Sequence, residues 1–255
     1  MHNHLIILTC TVKTKMTVGM KRSEIGLRLN DYISAINNWS TLSKKLGFQI
    51  LVVENSNSIE DLSSNLSNLE NPNLKFVQLK EDMRSHHEGN SAGEYQMLKE
   101  ILDIGILQKE TEIIWKITGR LFISNFKQLV PTETSDLIVN RFYDPKHIVD
   151  TRVIGFSQNE FETLFSMNPL FTLHSKNPSS GDQGSYSSLE HLVTLRVLNS
   201  ELDGNIVRTM KKVPIFRGHS GTSNKVIDGS LSRIKKQLGN LIRPLILKLL
   251  VGSTP

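Results

Sequence analysis

The stretch "IIWKITGRLFISN", Ile113 to Asn125, decides how the chain is read. Its first residues are apolar enough for a buried strand, yet they run into Lys116, Ile117, Thr118, Gly119 and Arg120. A core strand ends in such a run when something polar lies at its tip. Three further apolar runs precede it: Leu5 to Val12, "FQILVVENS" from Phe48, and "LKFVQLKED" from Leu74. Each reads as a buried strand.

Between these runs lie helical patterns. From Leu27 to Leu46, Leu29, Ile33, Ile36 and Trp39 recur at helical spacing, and Gly47 supplies a stop. An Asn- and Ser-rich stretch from Asn55 to Asn73 predicts a loop with a short helix. Ser91 to Leu107 predicts another helix, with Ser91 as N-cap and Glu94 closing a capping box. Strands alternating with helices predict an α/β fold around a mainly parallel sheet. In such sheets ligands gather at the carboxyl ends of the strands. Here those ends are Thr11–Thr14, Glu54–Ser56, Glu81–Asp82 and Lys116–Arg120, and all four are polar.

The second half is less regular. "DLIVNRFYD" and "TRVIGFSQ" predict two strands paired across "DPKHIVD". "SQNEFETLFSM" and "SLEHLVTLRVLNSEL" predict helices, and "VPIFRGHSGTSN" a strand followed by a Gly/Ser loop. A last helix runs from Ser230 to Val251.

The 255 residues suffice for a large core, and the single cysteine, Cys10, excludes an internal disulfide. The net charge of +5 suits an anionic partner. Many of the cations crowd the tail from Arg233 to Lys248, and aromatic residues are only 6%. No aromatic-basic ladder accompanies the charge, so nucleic acid is not the expected partner. The N-terminus has no signal-peptide pattern and no run reaches membrane-span length, so a cytoplasmic protein is expected.

The polar strand ends carry the candidate chemistry. Glu54 can accept hydrogen bonds from a ribose or base, with Thr11 beside it; the competing reading is a loop-capping acid. Ser91 and Gly93 open a helix whose free amides form an anion site, or else an ordinary cap. Lys116 and Arg120 can neutralise a diphosphate, with Gly119 letting the backbone approach. Arg217 and His219 sit in a glycine-rich loop suited to phosphate, although it lacks the Walker Gly-Lys-Ser/Thr end. Asp182, Glu190 and His191 are acid-base candidates, Glu190 in the first turn of its helix. No metal motif is present: His2/His4 and His86/His87 lack the partner spacing of a zinc site. Neither G-x-S-x-G nor a G-x-G-x-x-G after the first strand occurs.

In order, "LIILTCTV", "ILVVENS", "NSAGEYQMLKEIL", "IIWKITGRLFI", "VIGFS" and "SLEHLV" resemble the small glycosyltransferases of bacterial capsule and O-antigen clusters, over roughly residues 4–225. The most specific element is the Lys-x-Thr-Gly-Arg stretch. The resemblance implies a GT-A-like fold and a nucleotide-sugar donor. In that family an Asp-x-Asp motif holds a divalent metal at this place. Here the resemblance implies that Lys116, Thr118, Gly119 and Arg120 stand instead, with positive side chains replacing the metal; no cofactor is expected, and a divalent metal, which no motif indicates, stays open as the alternative. It further implies that Thr11 and Glu54 hold the nucleoside, with Asp82, Ser91 and Gly93 on the donor side. Arg217 and His219 would close over the diphosphate. Glu190, or alternatively Asp182, would deprotonate an acceptor hydroxyl in an inverting displacement. The implied acceptor is a glycan or a polyprenyl-linked sugar in surface-polysaccharide synthesis. The competing class is a non-catalytic nucleotide- or phosphate-binding α/β protein.

These readings divide the chain into a GT-A-like domain, 1–229, with a nucleotide half to about 125 and an acceptor half beyond it, and a basic amphipathic helix, 230–255. In that helix Leu231, Ile234, Leu238, Leu241, Leu245 and Leu249 recur at three or four residues, with cations between them. Residues 231–250 therefore predict peripheral contact with the inner membrane.

Overall fold

The computed structural model describes residues 3–14, 23–67, 70–81, 90–107, 111–131, 135–141, 149–171, 185–186, 188–202, 207–220 and 226–227. The first half alternates as the sequence predicts: β1 (His4–Cys10), α1 (Ile25–Leu46), β2 (Gln49–Glu54), α2 (Ile59–Ser64), β3 (Leu74–Gln78), α3 (Asn90–Asp103) and β4 (Ile113–Thr118). Gly47 ends α1 in the left-handed region at φ 78°, its N–H donating to the Ser43 carbonyl. Then come β5 (Phe122–Ile123), β6 (Leu137–Arg141), β7 (Val149–Phe156), α4 (Gln158–Phe165), β8 (Leu170–Phe171), β9 (Ser185–Tyr186), α5 (Leu189–Leu202), β10 (Val207–Thr209) and β11 (Phe216–Arg217).

Seven strands form one sheet in the order β10-β6-β7-β4-β1-β2-β3. The pairs β1/β2, β1/β4, β2/β3 and β6/β10 are parallel. Strand β7 is antiparallel to both neighbours, so it alone runs against the other six. The sheet is the mostly parallel, helix-flanked α/β architecture expected from the sequence, and the β6/β7 pairing is the expected hairpin.

Strand alternation sorts the core into two layers. Ile6, Leu8, Ile50, Val52, Trp115 and Ile117 pack beneath α1 and α2 with Tyr32, Trp39 and Leu62. Leu5, Ile7, Leu51, Val53 and Ile114 face α3, α4 and α5 with Tyr95, Leu98, Phe161 and Val193. A bidentate ion pair from Arg196 to Glu160, at 2.6 and 2.7 Å, joins α5 to α4.

β4 corrects one expectation. Lys116 does not stand at the tip of the strand; it is an interior ladder residue, opposite Ile7 and Ile154, and only 1% exposed. The strand continues through it because its charge is answered inside the core, as described below. β5, β8, β9 and β10 were not expected, β9 falling in the stretch "HSKNPSSGDQGSYSS" that reads as a polar loop; at two or three residues they are too short to show a period. The predicted C-terminal helix, 230–255, lies outside the described residues.

Candidate active site

At the carboxyl edge of the sheet the ends of β1, β2 and β4 meet the start of β7. Because β7 runs backwards, with Lys116 opposite Ile154 and Ile117 opposite Val153, its residues Asp150, Thr151 and Arg152 arrive beside the end of β4.

The centre of this edge is a charged cluster in an otherwise apolar layer. The Lys116 ammonium lies 2.7 Å from Glu94 Oε1 and donates to the Thr151 carbonyl at 2.6 Å. Thr9 Oγ1 donates to the same Glu94 oxygen at 3.0 Å. Thr151 Oγ1 in turn donates to Glu190 Oε1 at 2.5 Å. A buried ammonium is tolerated only when paired and hydrogen-bonded, and both conditions are met. Glu94 thus does not close a capping box with Ser91. Ser91 lies within α3, and Glu94 turns inward to the sheet. Glu190 sits in the first turn of α5, where Ser188 Oγ caps the His191 N–H at 3.2 Å.

Beside this cluster the chain turns tightly after β4. The Gly119 N–H donates to the Thr9 carbonyl at 3.0 Å. A Cβ on Gly119 would lie 2.6 Å from Cys10 Sγ and 2.7 Å from the Thr9 oxygen, so only glycine fits. Trp39 Nε1 donates to the Leu121 carbonyl at 2.9 Å and clamps the far side of the turn. Strand β5 then pairs with β11, which brings the 216–219 loop over the turn. Arg120 Nε donates to the His219 carbonyl at 3.1 Å, and His219 Nδ1 lies 2.9 Å from Asp31 Oδ1 on α1. Arg120 is half-buried, and its terminal amino groups have no partner among the described residues. Arg217 is exposed on β11.

The other end of the edge is closed by internal bonds. Glu54, fully buried, accepts from the N–H groups of Val12 at 3.2 Å, Ser56 at 2.8 Å and Ser58 at 2.9 Å. It also accepts from Ser56 Oγ and, at 3.3 Å, from Gln78 Nε2. Those donors fill the acceptor positions of one carboxylate, so its evident task is to join the loops after β1 and β2. Thr11 Oγ1 donates to Asn55 Oδ1 at 2.7 Å, and the Thr11 carbonyl accepts from Arg28 Nε at 3.1 Å. Arg28 is buried in the first turn of α1 and had no signal in the sequence beyond its charge. Burial, reinforced by the Glu54 charge, pushes the Cys10 thiol well above its ordinary value and leaves it unreactive.

Arg152 is the other residue that sequence reading passed over. Its guanidinium pairs with Asp150, Nε donating to Oδ1 at 2.8 Å, and stands over the Phe216 ring at 4.4 Å. Burial pulls this guanidinium down, but the Asp150 hydrogen bond and the Asp150 and Glu190 charges outweigh it and hold the cation. The only sequence signal was an arginine, after Asp150 and Thr151, at the head of the apolar run Val153–Phe156.

Of the expected site residues, the structure brings together Lys116, Thr118, Gly119, Arg120, Glu190, Arg217 and His219 at one edge, with Thr11 and Glu54 beside them. Ser91 and Gly93 lie in the first turn of α3 as described, Gly93 buried. Asp82 and Asp182 lie outside the described residues. Among the described residues no group of three or more His, Cys, Asp or Glu is placed to hold a metal ion.

No family model and no curated protein matches the chain. Among solved structures, the chain is similar to the nucleoside-diphosphate-sugar pyrophosphorylase from Vibrio cholerae RC9, at 11% identity and TM-score 0.48, over 81% of this chain and 91% of that one. It is also similar to the inositol-1-phosphate CTP transferase from T. maritima, at 12% identity and TM-score 0.45, over 82% and 85%. For residues 1–349 of TarS from S. aureus the values are 13% and 0.46, over 84% and 59%. Identities and scores this low leave function to be argued from the chain's own residues.

Proposed function

We propose that the chain is a glycosyltransferase that moves a sugar from a nucleotide-sugar donor to a hydroxyl of a glycan or lipid-linked acceptor. One observation supports this reading: Arg120, whose terminal amino groups have no partner among the described residues, and Glu190, held through one oxygen by Thr151, both belong to segments at the carboxyl edge of an α/β sheet. Arginine suits a departing diphosphate because its fork meets two oxygens at once. A carboxylate held by a hydroxyl suits general-base work. The acceptor oxygen attacks the anomeric carbon and its proton passes to Glu190. The bond to the nucleotide diphosphate breaks, and that leaving group keeps the electron pair beside Arg120. Direct displacement of this kind inverts the anomeric centre.

Thr118 and Gly119 serve the donor by fixing the turn that carries Arg120, the Gly119 N–H being spent on the Thr9 carbonyl, and Arg217 and His219 cover the phosphates from the β11 loop. Thr11 and Glu54 serve the nucleoside by shaping the loops that border it. Ser91, Gly93, Asp82 and, as an alternative base, Asp182 complete the proposed site on sequence grounds. The proposed setting is surface-polysaccharide synthesis, with residues 231–250 on the inner-membrane surface. That part rests on the sequence of the basic helix and on the polar strand tip resembling capsule and O-antigen enzymes.

The test is thermal stability against UDP, GDP, CMP, dTDP and their sugars, each with Mn²⁺ and with EDTA. A ligand bound only by the folded state raises stability with the logarithm of its concentration over Kd. A shift with one nucleotide diphosphate that survives EDTA supports the cation-for-metal reading, and a shift lost in EDTA replaces it with a metal-assisted one. No shift with any nucleotide overturns the proposal. Transfer of labelled sugar separates the enzyme from a nucleotide-binding protein without turnover.

A further inference from the structure

The buried lysine is the most unusual feature of the core. It is a cation 1% exposed, in a strand whose flanking residues are apolar, and its ammonium is bonded to Glu94 and to the Thr151 carbonyl. Such a residue neither meets a phosphate nor packs as a hydrophobe. What it touches suggests its use. The ammonium binds Glu94 through Oε1, and its second bond goes to the carbonyl of the residue whose hydroxyl holds Glu190 Oε1. Two carboxylates from two helices are therefore fixed by one buried cation, one directly and one through Thr151.

Each carboxylate is anchored through its Oε1 alone, and Oε2 of each has no partner among the described residues. Glu94 keeps 22% of its side chain exposed, so it is not sealed behind the lysine. A surface carboxylate has no need of a buried ammonium and a threonine hydroxyl on one oxygen. That arrangement fixes the direction of the other oxygen, which is what a polyhydroxylated ligand requires.

We infer that Glu94 is a second ligand-facing carboxylate of this site, binding a hydroxyl of the transferred sugar, and that Lys116 is the positioning residue that holds it and, through Thr151, Glu190. This rests on the transferase reading above. It reassigns the charge of Lys116 from the diphosphate to the sugar subsite and leaves Arg120 as the cation facing phosphate.

The experiment is calorimetric titration of the full chain with a nucleoside diphosphate and with the corresponding nucleotide sugar, using UDP with UDP-glucose and GDP with GDP-mannose. Glu94→Gln is expected to weaken the nucleotide sugar about tenfold or more, the scale of a hydrogen bond to a charged group, with the free diphosphate changed less than about twofold. Lys116→Met is expected to give the same split, because Glu94 then loses its anchor. Each single variant leaves one buried charge unpaired, so the neutral double variant Glu94→Gln/Lys116→Met keeps the test alive if either single variant fails to fold. It too should lose affinity for the sugar nucleotide and keep affinity for the diphosphate. Equal losses for both ligands, or no loss for either, overturn the inference while leaving the transferase reading in place. A wild-type chain that binds neither a diphosphate nor its sugar overturns that reading first, and this one with it.

Discussion

The imidazole of His219 meets the carboxylate of Asp31 at 2.9 Å across 188 residues of sequence. The same residue's carbonyl holds Arg120. The loop after β11 is thereby tied on one side to α1 and on the other to the turn after β4. His219→Ala should lower stability by about 1 kcal/mol, the scale of one partly exposed hydrogen bond. It should weaken nucleotide binding by a larger factor than its effect on stability suggests, because the loop whose carbonyl directs Arg120 is then no longer tied to Asp31 on α1. Urea melts with and without nucleotide measure the two effects separately.

Arg120 itself should be tested for shape as well as charge. Arg120→Lys keeps the charge but cannot both hold the His219 carbonyl and fork onto two phosphate oxygens. We expect Arg120→Lys and Arg120→Ala both to weaken nucleotide diphosphate binding about tenfold or more, with melting temperatures near wild type. Tight binding by the alanine variant would remove Arg120 from the site.

Gly119→Ala tests the turn. The added methyl would meet Cys10 Sγ at 2.6 Å and the Thr9 carbonyl oxygen at 2.7 Å. Backbone of a central strand cannot yield cheaply, so about 1–3 kcal/mol should be lost. The double variant Gly119→Ala/Cys10→Ala should recover only the part due to sulfur. Denaturant midpoints settle the division.

Stability should also depend on pH through His4. Trp115 Nε1 donates to His4 Nδ1 at 3.1 Å, which requires that nitrogen to carry no proton. Burial, then the positive amino terminus, lower the His4 pKa from 6.5, and the Glu112 charge only partly opposes them. Since the unfolded chain binds this proton more readily, the contribution is complete above pH 6.5 and is lost as pH falls through the lowered value. Urea midpoints from pH 7.5 to 4.5 should show this step in wild type, and His4→Leu should lack it.

Removal of residues 231–255 should release the protein from vesicles containing anionic lipid. The full chain should sediment with them at low salt and progressively less as salt is added. Equal sedimentation of both forms would discard the surface-helix proposal. Among the described residues no helix is long and apolar enough to cross a membrane.

The parallel sheet was legible because β1, β2, β3 and β4 each combine an apolar run with a polar end, and because Gly47 marks a helix stop. The hairpin of β6 and β7 was legible for the same reason. What could not be read was direction within a strand. Lys116 looks like a strand end from sequence, because period-two arguments assign a lysine to solvent; only the contact with Glu94, 22 positions away, makes it a core residue. Glu94 was misread for the matching reason. A carboxylate three residues after a serine at a helix start fits a cap, and nothing local shows that it turns to the sheet. Arg28, Thr151 and Arg152 act through contacts across the fold, which leave no local pattern. Glu54 was found by position, but the five donors that surround it come from three separate segments.

Those five donors give the chain a property of its own. Backbone N–H groups converging from two loops ordinarily make a nest for an incoming anion. Here the nest is already filled by a carboxylate from the protein itself. The loops after β1 and β2 are thus joined to each other by the chain's own groups, with no incoming anion needed to order them. On the proposed reading, binding should then carry little entropic cost on this side.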